Sequence, residues 1–163
     1  MAAAIAALLI LPWLVLYSNA SRLNANQLAQ EVTNSHIRSL MGNHLLDVVS
    51  TDQHTVKPWF NGKLDFSPTV IDLTADAFPL IGGRLDYIGG RAVAAIVYQR
   101  NKHVINVYTW PVTAGDSPLM FSQHNGYHVI RWSNNGMNWI AVSDLNQQEL
   151  TQFAGLLRSK LTR

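Results

Sequence analysis

Residues 78–111 read FPLIGGRLDYIGGRAVAAIVYQRNKHVINVYTWP, and the fold turns on how this stretch is read. Phe78 to Tyr87 is a first strand with an internal Gly82-Gly83 pair. Ile88-Gly89-Gly90 turns the chain, and Arg91 to Gln99 runs back. Arg100-Asn101-Lys102 turns it again into His103 to Trp110. Runs of this length, rich in β-branched and aromatic residues and punctuated by Gly and Asn, make a three-stranded antiparallel meander.

Downstream, Tyr127 to Ser133 and Met137 to Ser143 form a second hairpin about Asn134-Asn135-Gly136, a strong two-strand signal. Asp144 or Asn146 then caps a helix from Gln147 to about Lys160. Its Leu150, Phe153, Ala154, Leu156 and Leu157 share a face turned to the sheet, and Arg158 and Lys160 suit its last turn. The run between the two sheet segments, Val112 to Asn125, reads as a long connection. Upstream, Ser18 to Val49 has helical spacing, polar before Val32 and more apolar from Ser35 onward, with Gly42-Asn43 placed to kink or break it. The expected fold is therefore α+β: an antiparallel sheet of about five strands with a C-terminal helix packed on one face.

Residues Met1 to Tyr17, MAAAIAALLILPWLVLY, carry no charged side chain. A helix of that length is slightly shorter than the roughly 20 residues that cross a bilayer core. A membrane helix, a signal peptide cleaved after Ser18-Asn19-Ala20, and a buried core helix all compete for it. No Lys or Arg precedes the apolar run, which disfavours the signal peptide. Trp13 and Tyr17 suit a membrane interface. The division expected is residues 1–17 transmembrane helix, 18–34 juxtamembrane stalk, and 35–163 an extracytoplasmic α+β domain.

Composition narrows the function. Charged residues are 13% of the 163, the formal net charge is +2, and no Lys/Arg run occurs. Nothing here points to nucleic acid. There is no Cys, which removes disulfides, thiol nucleophiles and thiolate metal ligands.

Against this sparse background, the stretch His44 to Phe66, HLLDVVSTDQHTVKPWFNGKLDF, holds two His, three Asp and two Lys. His44 and Asp47 are three residues apart on a helical face, and Asp52 and His54 follow a short turn. Nitrogen and oxygen donors in this pattern are weak candidates for a divalent metal, but the spacing fits no strong metal template. Local hydrogen bonding is the more economical account of them. No nucleophile elbow accompanies Ser50 or Ser67, so no catalytic residue is assigned. Lys57-Pro58-Trp59-Phe60 reads as extended. Trp59 and Phe60 then point to opposite sides; both belonging to the core is the more economical reading, and one left exposed as a partner anchor is the alternative. The Gly pairs precede no helix and no Lys-Ser/Thr, and belong to turns or bulges rather than a phosphate loop. His103, His124 and His128 are dispersed, with a pH- or metal-sensing cluster as the less economical reading.

The stretches HIRSLMGNHLLDVVSTDQHTVKPWFNGKLDFSPTVIDL and FPLIGGRLDYIGGRAVAAIVYQRNKHVINVYTWP, covering most of residues 35–111, resemble the outer part of single-span bacterial anti-sigma factors. The resemblance implies a chain anchored in the bacterial inner membrane by one pass, with its C-terminal domain in the periplasm. That domain would take part in signal transduction and transcription regulation. It would meet a periplasmic protein or small-molecule signal through a surface such as His44, Asp47, Asp52, His54, Lys57, Trp59 and Phe60. No cofactor is implied. A sigma factor would be held only by a cytoplasmic part, and no His-x3-Cys-x2-Cys element of that kind occurs here. The competing expectation is an anchored periplasmic metal-binding protein or hydrolase using His44, Asp47, Asp52 and His54.

Overall fold

The computed structural model describes residues 23–42 and 44–162. The elements are α1 (residues 23–41), β1 (Val48–Val49), α2 (Gln53–Trp59), a 3-10 turn (Thr74–Asp76), β2 (Leu80–Ile88), β3 (Arg91–Arg100), β4 (His103–Pro111), β5 (Ser117–His124), β6 (Tyr127–Asn134), β7 (Met137–Ser143) and α3 (Gln147–Leu161). All seven strands form one antiparallel sheet in the order β1-β2-β3-β4-β7-β6-β5. The α+β class holds, but the sheet has seven strands rather than five.

Two strands account for the difference. The expected Val112–Asn125 connection contains β5, an edge strand paired to β6. Gly115-Asp116-Ser117-Pro118 at its start has the composition of a loop. An edge strand tolerates proline because one side of it has no ladder to complete. The other addition, β1, pairs through only Val48 and Val49 with Gly83 and Gly82.

Local chemistry explains the meanders. The pairs Ile88–Arg91, His124–Tyr127 and Asn134–Met137 each flank a two-residue turn. The turn residues Gly89-Gly90, Asn125-Gly126 and Asn135-Gly136 all have positive φ. That is the geometry of the tight hairpin turn whose twist matches the strands, and Asn and Gly reach it at least cost. Two three-stranded meanders result, β2-β3-β4 and β5-β6-β7, joined at β4 and β7. The chain passes from one to the other over the β6–β7 turn. Val112 N donates to Gly136 O at 2.8 Å, and Asn135 N donates to Asp116 Oδ1 at 2.9 Å.

Helices lie on both faces of this sheet, whereas the sequence predicts them on one. Face A takes α2 and α3. Its core includes Val56, Phe60, Phe78, Ile96, Tyr98, Trp132, Trp139, Leu150 and Phe153. Phe153 meets Phe78 and Tyr98 edge to face, and Trp132 stacks on Trp139 with centroids 6.1 Å apart. Asn146 caps α3 by accepting from Glu149 N, and donates back to Glu149 Oε2. Face B takes α1. Ala29 and Val32, inside the expected stalk, are buried with Val93, Ala95, Tyr108, Trp110, Ile140 and Val142.

Among the described residues no helix is long and apolar enough to cross a membrane. The expected membrane helix, Met1–Tyr17, lies outside the described residues, as does the start of the stalk.

Candidate functional site

The polar stretch after α1 is spent on local structure. His44 is exposed, its Nδ1 lying 3.4 Å from Asp47 Oδ1. The second Asp47 oxygen accepts from Leu85 N at 3.0 Å, which ties the approach to β1 onto β2. Asp52 is the N-cap of α2: its Oδ1 accepts from His54 N at 2.8 Å and its Oδ2 from Thr55 Oγ1 at 3.3 Å. With those oxygens engaged, His44 and Asp47 form one local pair and Asp52 and His54 another. Among the described residues, no three His, Asp or Glu side chains are grouped to hold a metal.

The expected extended conformation at Lys57-Pro58-Trp59-Phe60 is replaced by the end of α2, with Pro58 inside the helix. Only seven residues long, α2 loses little to a missing amide so close to its end. Phe60 is fully buried, Trp59 half-buried, and the two rings meet edge to face at 5.1 Å. Lys63 Nζ sits 4.6 Å from the Trp59 ring centroid and donates to Trp59 O. His54 and Lys57 remain exposed and line a shallow hollow of about 200 Å³ with Gln53, Pro58 and Val70. The other histidines are separate: His103 pairs with Asp144 at 2.9 Å, and His128 bonds the Leu145 carbonyl.

A more demanding arrangement lies under α1, at residues the sequence reading did not single out. Arg84, 1% exposed, donates through Nε and Nη2 to Asp86 Oδ2 at 3.2 and 2.9 Å. It also donates to Tyr108 OH at 3.0 Å and Leu45 O at 3.3 Å. From α1, Ser35 Oγ donates to the same Asp86 oxygen at 2.6 Å. Asn106 Nδ2 donates to Ser39 Oγ at 3.1 Å, and Ser39 donates to His36 O. The network links α1, the segment entering β1, and strands β2 and β4. A charge this deep persists only when paired and hydrogen-bonded, and Arg84 has both kinds of partner.

The network is not fully satisfied. Neither ring nitrogen of His36 nor Asn106 Oδ1 has a hydrogen-bond partner among the described residues. His36 packs edge-on to Tyr127. Burial, and then the nearby Arg84 guanidinium, push its pKa down to about 4, with Asp144 opposing. Burial also raises the Tyr108 phenol above its ordinary value, which keeps it neutral as a partner for Arg84.

The sequence carried a usable signal for this network. Ser35 and Ser39 are four apart on a helix, and Arg84 and Asp86, like Asn106 and Tyr108, are two apart on strands. Each pair puts polar groups on a face where an apolar stripe belongs.

Comparison with known proteins adds no relative: neither the known families, nor the curated proteins, nor the solved structures contain a match to this chain.

Proposed function

We propose that this chain is the membrane-anchored, signal-receiving extracytoplasmic domain of an anti-sigma-type regulator of transcription, single-pass in a bacterial inner membrane, and that α1 is its transmitting element. One observation carries the reading. The helix nearest the expected membrane segment is held to the sheet through a buried polar network, Ser35–Asp86–Arg84–Tyr108 and Ser39–Asn106, rather than by apolar packing alone. Separating an apolar interface exposes surface that water cannot compensate. Separating a polar one lets water take over each lost hydrogen bond, so docked and released states lie closer in free energy. An element with two such states can be biased by a signal that prefers one of them by a few kcal/mol. The resemblance across residues 35–111 supports the same reading.

The test is a pair of strains. Deleting the whole gene in its native host is expected to raise the transcripts of one alternative sigma factor's regulon, and restoring it to lower them. A restored gene carrying Arg84→Met is expected to leave the regulon partly raised. Unchanged transcripts on deletion sink the regulator reading. Full complementation by the Arg84→Met gene sinks the role of α1.

A further inference from the structure

One end of the sheet carries a groove of about 460 Å³, bounded by Lys63, Asp65 and Phe66 from the segment after α2 and by Arg91, Trp110 and Pro111 from β3 and β4. A second hollow of about 390 Å³ adjoins it across Arg91, Trp110 and Pro111 and reaches Asn138. The floor is aromatic: Phe66 is half-buried, and Trp110 is 6% exposed while lining both hollows. The rim carries two cations and one carboxylate. Among the described residues no carboxylate lies within ion-pair distance of Arg91 or Lys63. Lys63 is held in place by the Trp59 carbonyl and ring, while Arg91 stands exposed at the junction of the two hollows.

We infer that this groove is a binding site for a small organic anion, a carboxylate or phosphate borne on a flat apolar body. Arg91 offers a planar fork of donors to the anion, and Lys63 adds a second positive charge beside it. Trp110 and Phe66 supply the apolar surface against which a flat body desolvates. The volume matches that of small-molecule sites in general, which span roughly 300–1,000 Å³. Asp65 on the same rim selects against a second negative group at its end of the groove.

Two links run from the groove wall to α1. Trp110 belongs to the apolar cluster that contains Ala29 and Val32 of α1. Gly90 lines the groove, and its neighbour Gly89 donates its amide to Glu31 Oε1 of α1 at 3.0 Å. An occupant that shifts Trp110 or the Gly89-Gly90 turn therefore acts on the helix directly. This coupling rests on the reading of α1 as the transmitting element, whereas the binding site does not.

Isothermal titration of the full chain with phenyl phosphate tests the site, with inorganic phosphate and phenol as its separate halves. Phenyl phosphate is expected to bind saturably at one site, each half at least roughly tenfold more weakly. Arg91→Glu is expected to weaken binding by roughly tenfold or more, and Asp65→Asn to tighten it by roughly threefold. Both residues are exposed, so neither variant endangers folding. No saturable binding by ~10 mM, or equal binding by wild type and both variants, overturns the site. Hydrogen exchange at Gly89 and along α1, with and without phenyl phosphate, tests the coupling. A change confined to the bound state supports it, and binding with unchanged exchange overturns the coupling but not the groove.

Discussion

The two faces of the sheet are built on different principles. Face A is covered by α2 and α3 and closed by aromatic and aliphatic packing around Phe60, Phe78, Tyr98, Trp132, Trp139 and Phe153. Face B is covered by α1, and beside its smaller apolar cluster lies the Arg84–Asp86–Tyr108–Ser35 network with His36, whose ring nitrogens find no hydrogen-bond partner among the described residues. Apolar closure is non-directional and resists opening, so face A is the foundation of the fold. Polar closure is directional, adds little net stability, and can be undone by rehydration or by a change of charge. One domain thus holds two covers of unequal permanence.

Four measurements break or sharpen that contrast. The largest effect is expected on face A. Phe153→Ala removes a ring that contacts both Phe78 and Tyr98, and should cost about 4 kcal/mol of global stability in denaturant titration. A loss below about 1 kcal/mol would mean that face A is not the foundation.

Acid should act on face B next. His36 titrates near the ordinary 6.5 when unfolded but at about 4 when folded, so below pH 6.5 the unfolded chain binds the extra proton. Stability is then undiminished above pH 6.5, falls as pH drops toward 4, and loses about 3 kcal/mol in full. His36→Leu should flatten that part of the profile, and a slope identical to wild type would assign the acid sensitivity elsewhere.

Arg84→Met should cost about 2–3 kcal/mol, less than for a wholly buried pair because Asp86 is 16% exposed and partly hydrated. Its effect should concentrate in α1, whose amides exchange faster while those of α3 do not. Adding Asp86→Leu should recover most of the loss, since an apolar replacement leaves no stranded charge. Equal acceleration in both helices would erase the distinction between the faces. The smallest effect should come from Asp52→Ala, about 1 kcal/mol through the lost cap of α2. A larger loss, measured the same way, would give the His44–Phe66 stretch a role beyond positioning.

Strands β2, β3, β4, β6 and β7 were legible because each run obeys strand propensity and the turns between them carry Gly or Asn. The expected hairpin Tyr127–Ser133 and Met137–Ser143 differs by one residue from β6 and β7, and the expected helix from Gln147 matches α3. What failed was governed by context. Pro58 reads as an extended residue, yet Asp52 caps a helix around it. Pro118 reads as a loop, yet it stands in the irregular first part of an edge strand, where the register shifts between Ser117 and Met120. The network under α1 leaves only local pairs in the sequence, because its members come from positions 35 to 108 and no local window contains all of them. Charge clusters along the chain at His44–Phe66, where the residues bond their own neighbours, and clusters in space under α1.

The Gly82-Gly83 pair has a consequence for how this sequence can drift. A side-chain carbon at Gly82 would fall 2.1 Å from the Val48 carbonyl oxygen, and its φ of +149° disfavours any other residue. At Gly83 it would fall 3.0 Å from the Phe60 ring and 3.2 Å from the Ala95 carbonyl. The first position admits β1 to the sheet, and the second admits the Phe60 ring beneath it. In a saturation scan of all substitutions, these two positions should stand out as the least tolerant of the sheet's apolar surface. At Gly82 even alanine is excluded unless the backbone of β1 moves, whereas alanine at Gly83 requires the Phe60 ring to give by a few tenths of an ångström.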